Sequence, residues 1–334
     1  NKFINLTRAE LSLSYFKGYL YLPRIFHLRT NTSETIKNIT IEVDMLVAAL
    51  HATSIITLEI IVLFGISFYL FFVNFKITLI SLFLLLFFSL ILSFFNSKKI
   101  LLMGKNRIKL MQSRLQYIIE GLSGSKVYEM TGSQKNLISN FNEPNKKIAK
   151  IAYNIGFRQN LPRPLFELFV LLITVTFLIF TFDHNSQIKN IIPTLGVFLT
   201  AAYRLIPSFG KIISNLQRFQ YHIQSADKLS RDIKKFEENK KVDNKINLNF
   251  KENIIFDNVG FSYEKNIRAG ENFVLKNVNL KINKGSKIGI MGGSGTGKST
   301  FLDLVMGLIL PQEGKILVDK NKIENVKKQW QKTI

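Results

Sequence analysis

The apolar runs at residues 54–73 and 77–95 constrain this chain more than any other feature. The first has one charged residue, Glu59, in twenty positions, and the second has none in nineteen. Nineteen residues of α-helix span about 29 Å, the thickness of a bilayer core. Hydrocarbon offers the backbone no partner for its polar groups, so a run of this kind in lipid must be helical. The alternative is the core helix of a soluble protein, but such a helix is rarely apolar on all sides over this length. The two runs lie back to back, and Asn74-Phe75-Lys76 joins them as a tight transmembrane hairpin.

Residues 164–182 read as a third span, with Glu167 near its start. Residues 191–207 read as a shorter and more polar fourth, containing Pro193 and Gly196 and carrying Arg204 near its end. The short connector 183–190 makes these a second hairpin. Orientation follows from the distribution of Lys and Arg. The two short connectors hold one lysine each, Lys76 and Lys189, whereas residues 1–53 hold six basic residues and 96–163 hold thirteen. The long segments therefore face the cytoplasm. The net charge of +22 admits nucleic-acid binding, basic cytoplasmic loops or plain compositional bias. The spans favour the loops, and no nucleic-acid partner is expected. Without cysteine the chain has no disulfides and no thiolate metal sites. His27, His51, His184 and His222 show no metal-ligand spacing.

Residues 96–163 are too long for a loop. Apolar residues recur at helical spacing from Ile100 to Ile119, which extends the membrane helix into the cytoplasm. Gly121, Gly124 and Gly132 mark a turn, and 145–157 read as the helix returning to the bilayer. Residues 215–238 extend the last span inward in the same way. The expected division is a transmembrane domain over 1–238, a charged linker over 239–252 and a nucleotide-binding part over 253–334.

In that last part the pattern changes to short strand-like runs at 254–256, 259–261, 273–275, 278–282 and 314–318. Gly292-Gly293-Ser294-Gly295-Thr296-Gly297-Lys298-Ser299-Thr300 fits the G-x-x-x-x-G-K-[ST] phosphate-binding loop. Lys287-Ile288-Gly289-Ile290-Met291 before it reads as a strand, and Phe301 to Met306 after it as a helix. The glycines let successive N–H groups converge on one phosphate chain, and the helix N-terminus adds its positive end. Lys298 is placed to reach β- and γ-phosphates and Ser299 to ligate Mg²⁺, so ATP and Mg²⁺ are the expected ligands. Tyr263 precedes the loop, where an aromatic ring either stacks on adenine or packs at a strand end.

Val259-Gly260-Phe261-Ser262-Tyr263, Leu275 to Leu280, Gly285 to Ile290, the phosphate loop and Pro311 to Asp319 together resemble an ABC-transporter nucleotide-binding domain. With the preceding spans the chain resembles an ABC exporter half-transporter. The resemblance implies an α-helical membrane domain, four of six spans present, followed by the N-terminal part of an α/β P-loop NTPase domain. It also implies a second half-transporter as partner, in a homodimer, and cytoplasmic coupling regions around 24–36 and 121–132. Phe75-Lys76-Ile77-Thr78-Leu79, Pro162-Arg163 with Glu167, Tyr203-Arg204-Leu205-Ile206-Pro207 with Ile212-Ile213, and 325–333 resemble lipid-linked oligosaccharide flippases of the PglK type. There, cavity-lining basic residues are thought to hold the lipid pyrophosphate. Arg163 and Arg204 match two such positions. Lys211 stands where an arginine is expected, keeping the charge but losing the planar fork that suits phosphate. For Arg163 and Arg204 two readings stand side by side: contact with cargo, or snorkelling to lipid headgroups at the membrane edge. A helix-packing hydrogen bond suffices for Glu59.

Two segments imitate family motifs. Leu122-Ser123-Gly124-Ser125 looks like the start of the ABC signature but lies before the phosphate loop. Ile316-Leu317-Val318-Asp319 looks like a Walker B strand but lies only twenty residues past Ser299, so an ordinary strand ending at Asp319 is expected. The Q-loop, signature, Walker B and switch histidine are expected beyond Ile334, and residues 1–334 alone are expected to bind but not hydrolyse ATP. The expected activity of the whole protein is ATP-driven flipping of a lipid-linked oligosaccharide across the bacterial inner membrane. The alternatives are export of a peptide, lipid or drug, and a non-transporting nucleotide-binding membrane module.

Overall fold

The computed structural model describes residues 2–183, 188–240, 248–263 and 273–334. Two compact units emerge, one from Asn1–Phe16 and Ser33–Asp232, the other from Lys17–Thr32 and Ile233–Ile334. The connector at 184–187 and most of the linker, 241–247, lie outside the described residues, as does His184.

The first unit is helical. It begins with most of α1 (Lys2–Leu20) and continues with α3 (Thr32–Lys37), a π-helical turn (Asn38–Glu42) and α4 (Val43–Val73). Then come α5 (Phe75–Ser123), α6 (Ser125–Thr131), α7 (Gln134–Asn160), α8 (Pro162–Asp183), α9 (Ile188–His222) and the start of α10 (Gln224–Lys240). The helix from Thr32 to Val73 and α5 are long and apolar enough to cross a membrane, and only 11% of the most apolar window of each is buried. Phe64, Phe68 and Phe72 on α4, and Phe83, Phe94 and Phe95 on α5, point outward. That outward apolar surface fits a lipid environment and would be unusual on a soluble monomer. Residues 164–182 and 191–207 fall on α8 and α9, where many of the side chains lie outside the described set.

The first hairpin is fastened by its own residues. Asn74 adopts an extended backbone and its Oδ1 accepts from Ile77 N at 3.2 Å, capping α5. The buried Thr78 hydroxyl donates back to Leu70 O at 2.9 Å and to Asn74 O at 2.7 Å, so the end of α4 is tied to the start of α5. α5 then runs unbroken for 49 residues, about 73 Å. It ends at Gly124, and α6 ends at Gly132, whose φ of 65° terminates the helix in the left-handed region. Leu85, Phe166, Phe209 and Ile213 pack α5, α8 and α9 together, with Phe88 stacked on Phe169 at 4.4 Å. Further along, Gly104 lets α5 approach α9 closely: a Cβ there would stand 2.6 Å from Tyr221 O.

A charged cluster is buried beside that crossing. The π-helical turn brings both Asn38 and Glu42 inward, and Val43 N donates to Asn38 O across the widened turn. Arg107 Nη2 from α5 donates to Glu42 Oε2 at 3.0 Å and to Ser225 Oγ at 3.0 Å, and Ser225 Oγ donates to the same carboxylate oxygen at 2.5 Å. Lys37 Nζ lies 3.9 Å from Glu42 Oε1. Side-chain exposure is 2% for Arg107, 1% for Lys37 and 0% for Glu42.

The second unit contains α2 (Arg24–Arg29), β1 (Asn253–Phe261), β2 (Leu275–Asn283), α11 (Lys298–Val305), β3 (Glu313–Val318), β4 (Asn321–Lys322) and α12 (Ile323–Thr333). Its sheet has the order β2-β1-β3-β4 with every pairing antiparallel. Ile254, Phe256, Val259 and Phe261 of β1 turn inward with Ile316 and Val318 of β3, and Leu304 and Trp330 close the core from α11 and α12. Trp330 Nε1 donates to Val305 O at 2.7 Å. At the irregular register between β1 and β3, Gly314 has φ 70° and stands so close that a Cβ would meet Asn258 O at 2.2 Å. Only glycine fits there.

Residues 287–291, expected as a strand, form no ladder among the described residues. The segment leads into the phosphate loop with Ile288, Ile290 and Met291 exposed. Alternation and β-branching favour an extended chain, but a ladder needs a neighbouring strand, and none of the described strands pairs with it.

Asp319 follows β3 with φ 53°. Its carboxylate accepts from the backbone N–H groups of Lys251, Glu252 and Asn253 at 3.0, 2.8 and 3.1 Å, fastening the start of β1. Partial burial raises its pKa, but these three donors and Lys284 outweigh that and leave it below the usual aspartate value. The carboxylate is therefore engaged in structure. Asp319→Ala is expected to destabilise this unit by about 1–2 kcal/mol at neutral pH. Because the folded pKa is depressed, the contribution is present above the unfolded carboxylate pKa and is lost as pH falls through the folded value. Thermal unfolding of both proteins should therefore show a gap that closes in acid.

Candidate functional site

The phosphate loop joins the exposed 287–291 segment to α11. Gly295 and Gly297 have φ of 81° and 87°, the left-handed conformation that glycine adopts without strain. Gly297 is the residue before α11 and brings no side chain to cap it. Phe301 N is the first amide bonded within the helix, to Gly297 O, so those of Lys298, Ser299 and Thr300 have no partner inside it. Thr296 Oγ1 donates to Gly293 O at 3.0 Å and braces the curl. Lys298 Nζ donates to Gly292 O at 2.9 Å and also to Gly293 O, which holds the ammonium over the loop. Ser294 and Ser299 are exposed, and Thr300 is buried. A glycine-rich curl, an uncapped helix start and one ammonium fit a polyphosphate.

Tyr263 and the loop meet through Thr300. The Tyr263 hydroxyl lies 3.0 Å from Thr300 Oγ1, and its ring packs edge-on against Phe261 at 5.0 Å. The segment before Tyr263 is fixed by a reciprocal pair: Ser262 N donates to Gln312 Oε1 at 2.9 Å, and Gln312 Nε2 donates to Ser262 O at 3.0 Å. α2 grips the same two elements. Arg24 Nε pairs with Asp303 Oδ2 of α11 at 2.9 Å, one helical turn past Ser299, and Arg29 donates to Tyr263 O. Sequence reasoning named 24–36 as a coupling region but did not single out Asp303, Gln312 or the two arginines. No local pattern signals a contact between residues 279 positions apart.

In the first unit, Arg163 forms an i,i+4 pair with Glu167 at 2.9 Å on an exposed face. Gly210 of α9 packs against the Arg163 backbone, where a Cβ would lie 3.2 Å from Arg163 Cα. Arg204 is exposed. Lys211, named from the sequence as a cargo contact, donates to Glu59 Oε1 at 2.7 Å, and Ser208 donates to Glu59 Oε2 at 2.7 Å. The structure thus brings Lys211 and Glu59 together and places Arg163 with a different partner.

Residues 275–334 match the family model described as ABC transporter. The chain is 23% identical over 317 residues to an ATP-dependent lipid A-core flippase of Cupriavidus metallidurans, covering 94% of this chain and 52% of that protein. It is 50% identical over 66 residues to a putative ABC transporter ATP-binding protein of Methanosarcina acetivorans, covering 20% of this chain and 23% of that one. A solved bacterial Atm1-family ABC exporter with ATP bound superimposes with a TM-score of 0.78 at 19% identity, covering 99% of this chain and 57% of that one. The chain thus spans between about a quarter and somewhat over half of these proteins' lengths. It consists of a helical membrane-type domain followed by the start of an ABC nucleotide-binding domain, in the fold of an ABC exporter.

Proposed function

We propose that this chain belongs to an ATP-driven flippase that moves a lipid-linked oligosaccharide across the bacterial inner membrane as a homodimer, with its nucleotide domain in the cytoplasm. The observation that carries the reading is the pair of cations, Arg204 and Lys211, on helix α9 of a membrane-type domain that precedes a phosphate loop. Charged residues are costly inside a bilayer and usually face a cavity or a partner. A lipid pyrophosphate supplies an anion there, and the glycan remains in water.

At the nucleotide site, the loop amides and Lys298 would hold the β- and γ-phosphates, and Ser299 would ligate Mg²⁺. A bound Mg²⁺ neutralises phosphate charge and helps to orient the transferred group. Tyr263 would present its ring to the base. The contacts of Arg24 with α11 and of Arg29 with Tyr263 give a direct route by which nucleotide binding biases α2.

A second reading keeps the machine and changes the cargo to a phosphorylated glycolipid, favoured by the lipid A-core flippase relative. Reconstitution into proteoliposomes separates the two. ATP-dependent flipping of a polyprenyl-diphosphate glycan is expected, and Arg204→Ala is expected to abolish it while nucleotide binding is retained. Equal flipping by that variant would remove Arg204 from the cargo site.

A further inference from the structure

On α9, Arg204, Ser208 and Lys211 follow the spacing i, i+4, i+7 and so share one face of the helix. Ser208 and Lys211 on that face both bond to one residue of α4, Glu59. Glu59 is 8% exposed, and each of its carboxylate oxygens already has one donor at 2.7 Å, Lys211 Nζ on Oε1 and Ser208 Oγ on Oε2. Arg204 stands one helical turn before Ser208, is exposed, and forms no ion pair among the described residues. The stripe therefore carries two cations against one carboxylate.

The donor set is informative. An ammonium and a hydroxyl bonded to two oxygens of one anion, with a guanidinium a turn away, is a pattern that a phosphate satisfies as well as a carboxylate does. The Lys211 side chain is 53% exposed, so one side of the ammonium is open while the other touches Glu59. Glu59 itself is nearly buried, so the pair is open on the lysine side.

We propose that Glu59 is an intramolecular placeholder for the phosphate of an anionic lipid headgroup: it occupies the Arg204–Ser208–Lys211 stripe until the phosphate displaces it. This rests on the flippase reading, since it requires that an anionic lipid reach α9. No covalent step is involved. The carboxylate gives up Lys211 and Ser208, and the phosphate takes them together with Arg204. With cargo absent, Glu59 offsets the positive charge of the stripe and disfavours weaker anions.

The test is binding to the protein in nanodiscs, with polyprenyl diphosphate as probe and inorganic pyrophosphate as its lipid-free counterpart. Glu59→Gln keeps the shape and removes the competing charge, and is expected to tighten polyprenyl diphosphate binding about two- to fivefold. Lys211→Ala and Arg204→Ala are expected to weaken it by a similar factor. Pyrophosphate alone is expected to bind neither form measurably; equal tightening for pyrophosphate would overturn the lipid assignment. Should Glu59→Gln fail to fold, Glu59→Asp retains the charge but shortens its reach to Lys211, and about 1.5- to twofold tightening is expected (about half of the above on a logarithmic scale). Unchanged or weaker lipid binding in the folded variant, with wild-type binding intact, overturns the placeholder and leaves the flippase reading standing. The reverse outcome is also distinct. If polyprenyl diphosphate binds no form, but a phosphorylated glycolipid binds and is tightened by Glu59→Gln, the oligosaccharide cargo is wrong and the placeholder stands.

Discussion

Replacing Lys298 by alanine is expected to weaken ATP binding by about one to two orders of magnitude. The ammonium is held over the loop by Gly292 O and Gly293 O, so little reorganisation separates the observed geometry from one in which it faces a phosphate. A hydrogen bond to a charged group contributes about 1.5–3 kcal/mol, which is roughly 10- to 150-fold in affinity. The loop amides and the α11 N-terminus remain in the variant, so residual binding is expected rather than none. Lys298→Arg should recover only part of the loss, because the guanidinium fork is larger than the curl that accepts the ammonium. Calorimetric titration of the detergent-solubilised protein with ATP measures this. An unchanged affinity for Lys298→Ala, with the thermal midpoint preserved, would remove the loop from the nucleotide site.

The phosphate loop was readable because its information is local: glycines at fixed offsets, Lys298, Ser299 and the helix that follows. The hairpin at Asn74 was readable for the same reason. Asp319 was set aside as a Walker B acid by spacing alone, and the structure gives that carboxylate other work at the start of β1. What escaped reading is non-local. Residues 287–291 have strand chemistry, yet pairing depends on a neighbour that no local pattern specifies. Arg24 with Asp303, and Glu42 with Arg107 and Ser225, meet across long stretches of chain. The sequence offers Lys211 as an expected cargo contact and Glu59 only as a packing residue. Their ion pair joins α4 to α9 and depends on how those helices cross, which spacing within either helix does not reveal.

Within the buried cluster, Glu42→Gln is expected to destabilise the first unit more than Arg107→Met does, although the two residues are partners. Counting charges explains the order. Lys37 and Arg107 are cations, Glu42 is their shared anion, and all three are almost fully buried. Losing Glu42 leaves two buried cations facing one another, for which about 3–5 kcal/mol is the usual cost of an orphaned buried charge. Losing Arg107 leaves one cation and one anion. Burial already lowers the Lys37 pKa against the pull of Glu42 and Glu34, and repulsion from Lys228 and Arg107 adds to the lowering. Removing Arg107 relieves that repulsion and lets Lys37 serve Glu42, which leaves Ser225 and one carboxylate oxygen short of a donor, so a loss of about 1–3 kcal/mol is expected. His222 supplies an independent readout. Burial, then Arg107 and Arg218, push its pKa down to about 4 from 6.5. Between those values the unfolded chain binds more protons than the folded one, so wild-type stability should fall as pH drops from about 6.5 toward about 4. Arg107→Met removes part of the depression and should flatten that slope, while Glu42→Gln should not. Denaturation in mixed micelles at pH 7.5 and pH 5 measures both effects, and a larger loss for Arg107→Met than for Glu42→Gln would contradict the assignment of Glu42 as the anion that holds this junction of α4, α5 and α10 together.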